Sequence, residues 1–224
     1  DKTGTLTQNQ MTIVKMFVPG AEIDVSGEGY APQGSLQIGG KEAELSAEPA
    51  IARLLDIGVL CNDSSLEKEE AEEGAEEGKD QWKIVGDPTE GALVVAAAKV
   101  GKNRETMNTD FPRLQEIPFD SGRKLMTTFH KDAQGRFIAY TKGAPDILVG
   151  LCSRVMRRDG RIEEMTEQDR KAILEENGSL ARSALRVLGM AFRPIDEIPS
   201  HPTPETDEKD LVFTGLVGMI DPPR

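Results

Sequence analysis

The first seven residues, Asp1-Lys2-Thr3-Gly4-Thr5-Leu6-Thr7, place a carboxylate where covalent chemistry is possible. A carboxylate can attack a phosphorus centre and form an aspartyl phosphate. The approach of two anions needs positive charge nearby, which Lys2, backbone amides and Mg²⁺ can supply. Thr3 and Thr5 offer hydroxyl donors to a phosphate, and Gly4 lets the backbone come close. A lone aspartate in a polar turn would carry no such meaning; the reading rests on the whole heptad.

Other residues along the chain have two readings each. Phe119 can offer its face to a base, a contact worth about 0.5–1.5 kcal/mol beyond burial, or it is an ordinary core phenylalanine. Lys124 and Lys142 can set ammonium charge beside a polyphosphate, or they are exposed lysines flanking strands. Gly143 ends a strand and permits a base or ribose to approach the backbone. Glu90 stands three residues after Asp87 and reads as the acid of a capping box. Arg186 reads as a surface arginine at a helix end, where its charge favours the dipole. Asp221 begins a Pro-Pro turn.

The elements that must carry these residues follow from local signals. Met11 to Val18 has the β-branched and aromatic content of a strand. Ile51, Leu54, Leu55, Gly58 and Val59 recur at helical spacing between Pro49 and Cys61. Asp87 as N-cap and Pro88 in the first turn start a helix that runs to Lys99 or Val100, with Gly101 as its left-handed C-cap. Leu125 to His130 and Arg136 to Lys142 read as a strand pair joined through a hairpin-sized loop. A helix begins at Thr166, with Asp169 three residues on, and continues past Ile173, Leu174 and Leu180. Val187 to Phe192 and Leu211 to Val217 read as further strands. Pro194 to Pro204, with four prolines, reads as a loop. Strands paired through short turns, with helical pairs between them, predict an α+β fold: a twisted antiparallel β-sheet flanked by helical hairpins.

Composition narrows the function. Hydrophobic residues make up 38 % and charged residues 29 % of 224, a globular balance. Lys+Arg 27 against Asp+Glu 39 leaves a net charge of −12, which argues against a nucleic-acid or anionic-lipid partner. No apolar run nears the ~20 residues that span a bilayer, and the first residues lack a secretory signal, so a soluble chain in a reducing compartment is expected. Cys61 and Cys152 are far apart, read as buried reduced thiols, and with two histidines make no zinc or His-rich metal site. Between Glu67 and Asp80 eight acids face two lysines, which predicts an exposed mobile loop. The near-Walker stretch Gly34 to Lys41 fails: Lys41 is displaced by one position and Glu42 replaces the magnesium-binding Ser or Thr. GxGxxG, GxSxG and HExxH patterns are absent.

The opening heptad resembles the phosphorylation signature of P-type cation-transporting ATPases. Lys142-Gly143-Ala144-Pro145-Asp146 resembles that family's KGAPE segment with Asp in the last place, and Met219-Ile220-Asp221-Pro222-Pro223-Arg224 its hinge motif. Leu60 to Leu66, Gly86 to Leu93 (GDPTEGAL) and Phe119 to Met126 (FDSGRKLM) are similar to segments of the type II calcium-pump branch. One departure stands out. Ser121 replaces an arginine expected two residues after the phenylalanine, which leaves Arg123 to supply a phosphate contact.

The resemblance implies an ATP-binding cytoplasmic domain of an integral membrane pump (in the cell membrane if bacterial). It implies division into a phosphorylation-domain fragment (1–13), a nucleotide-binding domain (14–217) and a hinge (218–224). Glu90 would bond the adenine amino group, Arg186 a phosphate, and Asp221 would lie near the ribose, with Phe119, Lys124, Lys142 and Gly143 completing the ATP pocket. The γ-phosphoryl group would pass to Asp1, with Lys2 and Thr3 assisting and Asp1 and Thr3 holding Mg²⁺ in the full-length protein. Partners would be ATP and the same pump's remaining phosphorylation domain, actuator domain and transmembrane domain. Lacking the later TGD and GDGxND motifs, the chain alone is expected to bind ATP without turnover. Two other classes remain open: the cap of a haloacid-dehalogenase-type phosphatase, and a non-catalytic module whose acidic loop recruits a basic partner.

Overall fold

A computed structural model describes residues 9–70 and 81–223. Most strands join one large sheet. In chain order its first members are β1 (Thr12–Val18), β2 (Ala21–Val25), β3 (Leu36–Ile38) and β4 (Lys41–Glu42). Then come β7 (Gln115–Asp120), β8 (Leu125–Lys131), β9 (Phe137–Gly143), β10 (Cys152–Met156), β11 (Ile162–Glu164), β12 (Arg186–Ile195) and β13 (Leu211–Ile220). A separate hairpin pairs β5 (Ser65–Glu69) with β6 (Gln81–Val85). The main sheet runs β4-β3-β2-β1-β13-β12-β9-β8-β7, with β10 against β13 and β11 against β10. Among the described residues its pairs are antiparallel apart from the parallel β10–β13 contact.

Helices cover both faces. On one, α1 (Pro49–Leu60) packs beside α2 (Pro88–Ala98), with the short α3 (Arg104–Asp110) next to α1. On the other, α4 (Pro145–Gly150) packs against α5 (Glu167–Arg182), while α6 (Pro204–Asp207) is a single turn before β13. Two cores result. Ile51, Leu54, Leu55 and Leu93 meet Met16, Met190, Val217 and Met219 in the first, and Leu148, Ile173 and Leu180 meet Phe213 and Leu216 in the second. Strand β13 feeds both because successive side chains point to opposite faces. A register shift opposite Met190 and Ala191 leaves Thr214 without a partner on β12 and puts Phe213 and Leu216 on one face. No helix among the described residues is long and apolar enough to cross a membrane.

The expected α+β architecture is the observed one, with helices that pack in pairs although strands intervene between α1 and α2. Local signals give the ends their positions. Asp87 caps α2 as predicted, Gly101 takes φ +81° just beyond it, and Thr166 and Asp169 close a full capping box on α5.

Two expectations are corrected. The acidic stretch is not loop from its start: Glu67, Lys68 and Glu69 lie in β5, paired with Lys83, Trp82 and Gln81, because alternate pairing to β6 offsets their charge density. Pro194 is the penultimate residue of β12, opposite Ile138. The β13 ladder ends at Phe192, so its missing N–H faces an unpaired side and the loop starts only after Ile195. The near-Walker stretch is the β3–β4 hairpin, whose Gly39 and Gly40 take φ +58° and +80° as a two-residue turn requires. Positions 71–80 of the acidic stretch lie outside the described residues.

Candidate functional site

Where β8, β9 and β12 meet the N-terminal turns of α2 and α4, a cleft of about 480 Å³ opens. Six residues singled out in the sequence line it: Glu90, Phe119, Lys124, Lys142, Gly143 and Arg186. They come from five elements and turns up to 96 positions apart (186 − 90), so only the sheet brings them together. Asp221 is not among the lining residues; its Oδ1 accepts the Gln10 N–H at 3.2 Å near the end of β1. Asp1, Lys2 and Thr3 lie outside the described residues.

The floor of the cleft is an ion pair. Lys142 projects from β9 with its side chain 6 % exposed, and its Nζ donates to Glu90 Oε1 at 2.7 Å and to the Cys61 carbonyl. Glu90 Oε2 accepts the Asp63 N–H at 3.1 Å. These contacts change two sequence readings. Lys142 is no exposed lysine flanking a strand; it is buried with its charge neutralised. Glu90 does not return a bond to Asp87, so only half the capping box forms, with Asp87 Oδ1 accepting from the amides of Thr89 and Glu90. A charge-assisted bond to a buried ammonium outweighs a cap bond that water can replace.

The turn behind this pair was not recognised as part of the site. Asn62 is fully buried; its Nδ2 donates to Gly58 O and Glu90 O, both at 2.8 Å, and its Oδ1 accepts from Ser64 N at 2.7 Å. Arg104 and Arg113 donate to the Asn62 carbonyl at 2.7 and 2.9 Å, and Arg104 also to that of Val59. Together they satisfy carbonyls orphaned at the C-terminus of α1. The LCNDSSL segment contains this signal, but the partners Glu90, Arg104 and Arg113 lie 28 to 51 residues from Asn62.

The rim is built differently. Phe119 is 61 % exposed at the end of edge strand β7, so it is not a core phenylalanine. Lys124 takes φ +60°, a left-handed conformation uncommon for a side chain of its kind, and its carbonyl accepts the Ala144 N–H at 3.1 Å. That contact explains Gly143: a Cβ there would lie 2.1 Å from Lys124 O. The glycine answers a close approach by β8, a reason the sequence did not disclose. Arg186 starts β12 rather than ending a helix, and its Nη1 donates to Thr89 Oγ1 at 2.8 Å. Arg123 is not among the lining residues; its guanidinium is paired with Glu208 at 2.7 Å, so it does not take the place of the missing arginine at Ser121.

Charge states follow from burial. Cys61 and Cys152 are buried free thiols; burial pushes Cys61 up and Cys152 up to about 12, so both stay protonated near neutrality. Burial also takes His130 down to about 4, against the raising effect of the hydrogen bond that the Phe111 carbonyl accepts from its ring. Among the described residues no group of three or more His, Cys, Asp or Glu is placed to hold a metal ion. A second, larger hollow of about 810 Å³ lies between the β5–β6 hairpin and helices α2 and α3, near Trp82 and Arg104. Of the site residues predicted from sequence, none lines it.

An aromatic face, a carboxylate with unused lone pairs and two rim cations suit a flat, amine-bearing ring with an anionic tail. Comparison with known proteins bears on that chemistry. Residues 50–224 match the family model described as P-type ATPase, cytoplasmic domain N. The chain is 40 % identical over 225 residues to a calcium-transporting ATPase of Bacillus subtilis, covering all of this chain and 24 % of the relative. It is 41 % identical over 230 residues to the cation-transporting ATPase pma1 of Synechocystis, again covering all of this chain and 24 % of that protein. A calcium-transporting ATPase 1 of Lactococcus lactis is 38 % identical over 224 residues, with 22 % of its length covered. The chain thus spans about a quarter of the length of these curated relatives.

Proposed function

The chain belongs to the P-type ATPase family as a cytoplasmic N domain, and from that premise we propose that its cleft holds the adenine end of ATP. The full protein in this reading is a calcium-transporting membrane pump whose cytoplasmic side carries this domain. The observation that carries the proposal is that Phe119, exposed on a sheet edge, shares one cleft with half-buried Glu90 and its buried partner Lys142.

The purine stacks on Phe119. Glu90 accepts from the exocyclic amine with a lone pair that Lys142 and Asp63 leave free, and those two contacts hold its carboxylate in a fixed orientation. Because Lys142 is neutralised by Glu90, charge compensation of the phosphate tail falls to Lys124 and Arg186 at the rim. Both ends of the described chain leave the sheet side by side, Thr12 pairing with Ile220, which suits a hinge at 218–224 beside the phosphorylation-domain fragment at 1–13. Closure about that hinge carries the γ-phosphate to Asp1. There a carboxylate oxygen forms the new P–O bond, the bond to the β-phosphate oxygen breaks, and ADP leaves. Mg²⁺ offsets charge on the transferring group when bound; Asp1 and Thr3 would hold it, together with parts of the pump beyond this chain.

Titration of the chain with ATP and with AMP, followed by amide NMR, tests the reading. Shifts centred on Glu90, Phe119 and Lys142 with similar affinity for both ligands are expected, since adenine recognition dominates. Shifts elsewhere, or none, would refute it. No steady ATP hydrolysis is expected from the chain alone, and hydrolysis indifferent to replacement of Asp1 would contradict the assignment of the phosphorylated residue.

A further inference from the structure

We propose that the pair formed by half-buried Arg123 and buried Glu208 is a positioning device for the Phe119–Lys124 turn, which makes both residues determinants of adenine-nucleotide affinity although neither lines the cleft. The proposal rests on the adenine reading above.

The turn needs such a device. Among the described residues β7 pairs with β8 alone, and their register jumps from Ile117 opposite Thr127 to Asp120 opposite Leu125. Pro118 and Phe119 fall inside that irregularity, and proline has no N–H to donate to a ladder. Phe119 is too exposed for packing to hold it. Lys124 sits in a left-handed conformation, which persists only where surrounding contacts enforce it.

Arg123 supplies those contacts. Its Nη2 donates to the carbonyls of Pro118 at 3.0 Å and Leu125 at 2.8 Å, the residues immediately before Phe119 and after Lys124. One planar group therefore staples both ends of the turn. Its Nε and Nη2 also reach Glu208 Oε2 and Oε1 at 2.7 and 3.1 Å, a two-point contact. Glu208 follows α6, its side chain only 2 % exposed, and it accepts a further bond from Thr127 Oγ1 at 2.8 Å. A buried carboxylate so held is fixed in place, and through it the turn is tied to the sheet interior rather than to its own edge. Because the guanidinium is neutralised, Arg123 acts on the ligand through Phe119 and Lys124 and not by touching phosphate.

The test uses Glu208→Gln and Arg123→Lys in the 224-residue chain, titrated with AMP and with ATP and checked for folding by amide NMR. Losing the aromatic contact should weaken AMP binding about three- to tenfold in each variant. The double variant should lose no more than the worse single, as expected of two residues acting as one unit. Unchanged AMP affinity in folded variants would make the pair merely structural and overturn the proposal. Tighter ATP binding by Glu208→Gln would also overturn it, because a freed Arg123 would then be a direct phosphate ligand. Should Glu208→Gln fail to fold, Glu208→Asp keeps the charge, withdraws the two-point contact and gives the same readout. A wild-type chain that binds neither nucleotide defeats the adenine reading itself, whereas wild-type binding with indifferent variants defeats only the positioning role.

Discussion

On one side of the cleft, Lys142 and Glu90 are held by the Cys61–Asp63 turn, and that turn is held by Asn62, Arg104 and Arg113. On the other side, Phe119 stands in solvent on an edge strand and Lys124 occupies a strained turn. The buried wall satisfies its charges internally, so it offers direction and shape. The rim keeps in reach of a ligand an apolar face and cations that pair with no carboxylate among the described residues, and must be held from behind by Arg123. Stability and recognition are therefore divided between the two walls: substitutions in the first should unfold, and substitutions in the second should mostly unbind.

The largest effect is expected on the buried wall. Lys142→Met leaves the Glu90 carboxylate and the Cys61 carbonyl without their cation, and should cost about 4 kcal/mol in urea unfolding. Adding Glu90→Gln should restore part of it; a loss below about 0.5 kcal/mol, the range of ordinary surface changes, would mean the wall is as loosely tied as the rim.

Acid should discriminate the walls next. His130 lies on β8, buried among Phe111, Thr128 and Tyr140 with Arg113 nearby. Its folded value of about 4 lies below the ordinary 6.5, so the unfolded chain takes up a proton that the folded chain refuses. The stability is complete above pH 6.5 and falls as pH drops from there to about 4, by about 3 kcal/mol in all. Unfolding curves across that window check it, and His130→Gln should flatten the slope.

Gly143→Ala tests where the walls touch. The new Cβ would drive into Lys124 O, so about 2 kcal/mol should be lost, with amide shifts at Lys124 and Ala144. The smallest stability change is expected at the rim. Phe119→Ala should alter the unfolding free energy by no more than about 0.5 kcal/mol, yet weaken AMP binding by up to about tenfold. A destabilisation equal to that of a core phenylalanine would erase the contrast between the two sides.

Much of the frame was legible beforehand. Asp87 and Thr166 announce helix starts because a cap bond closes within three residues. The apolar rhythm of Ile51 to Val59 announces α1 because one face must leave water. Elsewhere the same local logic misled. Glu90 looked like the return half of a capping box, and Arg123 like a phosphate ligand, because both types suit those tasks in isolation. Glu67 to Glu69 looked like loop because no local cue names the partner strand beyond position 80. Asn62 carried no legible role, since its bond to Glu90 O spans 28 positions.

The amino-acid order alone determined which segments coil or extend and which side chains are chemically able to meet a nucleotide, because periodicity, capping and turn chemistry act over a few residues. Which of those side chains remain available was decided only by the folded sheet. Burial makes pairing compulsory for a charge, and partners such as Lys142 with Glu90, or Arg123 with Glu208, exist only once segments 52 and 85 positions apart are folded together.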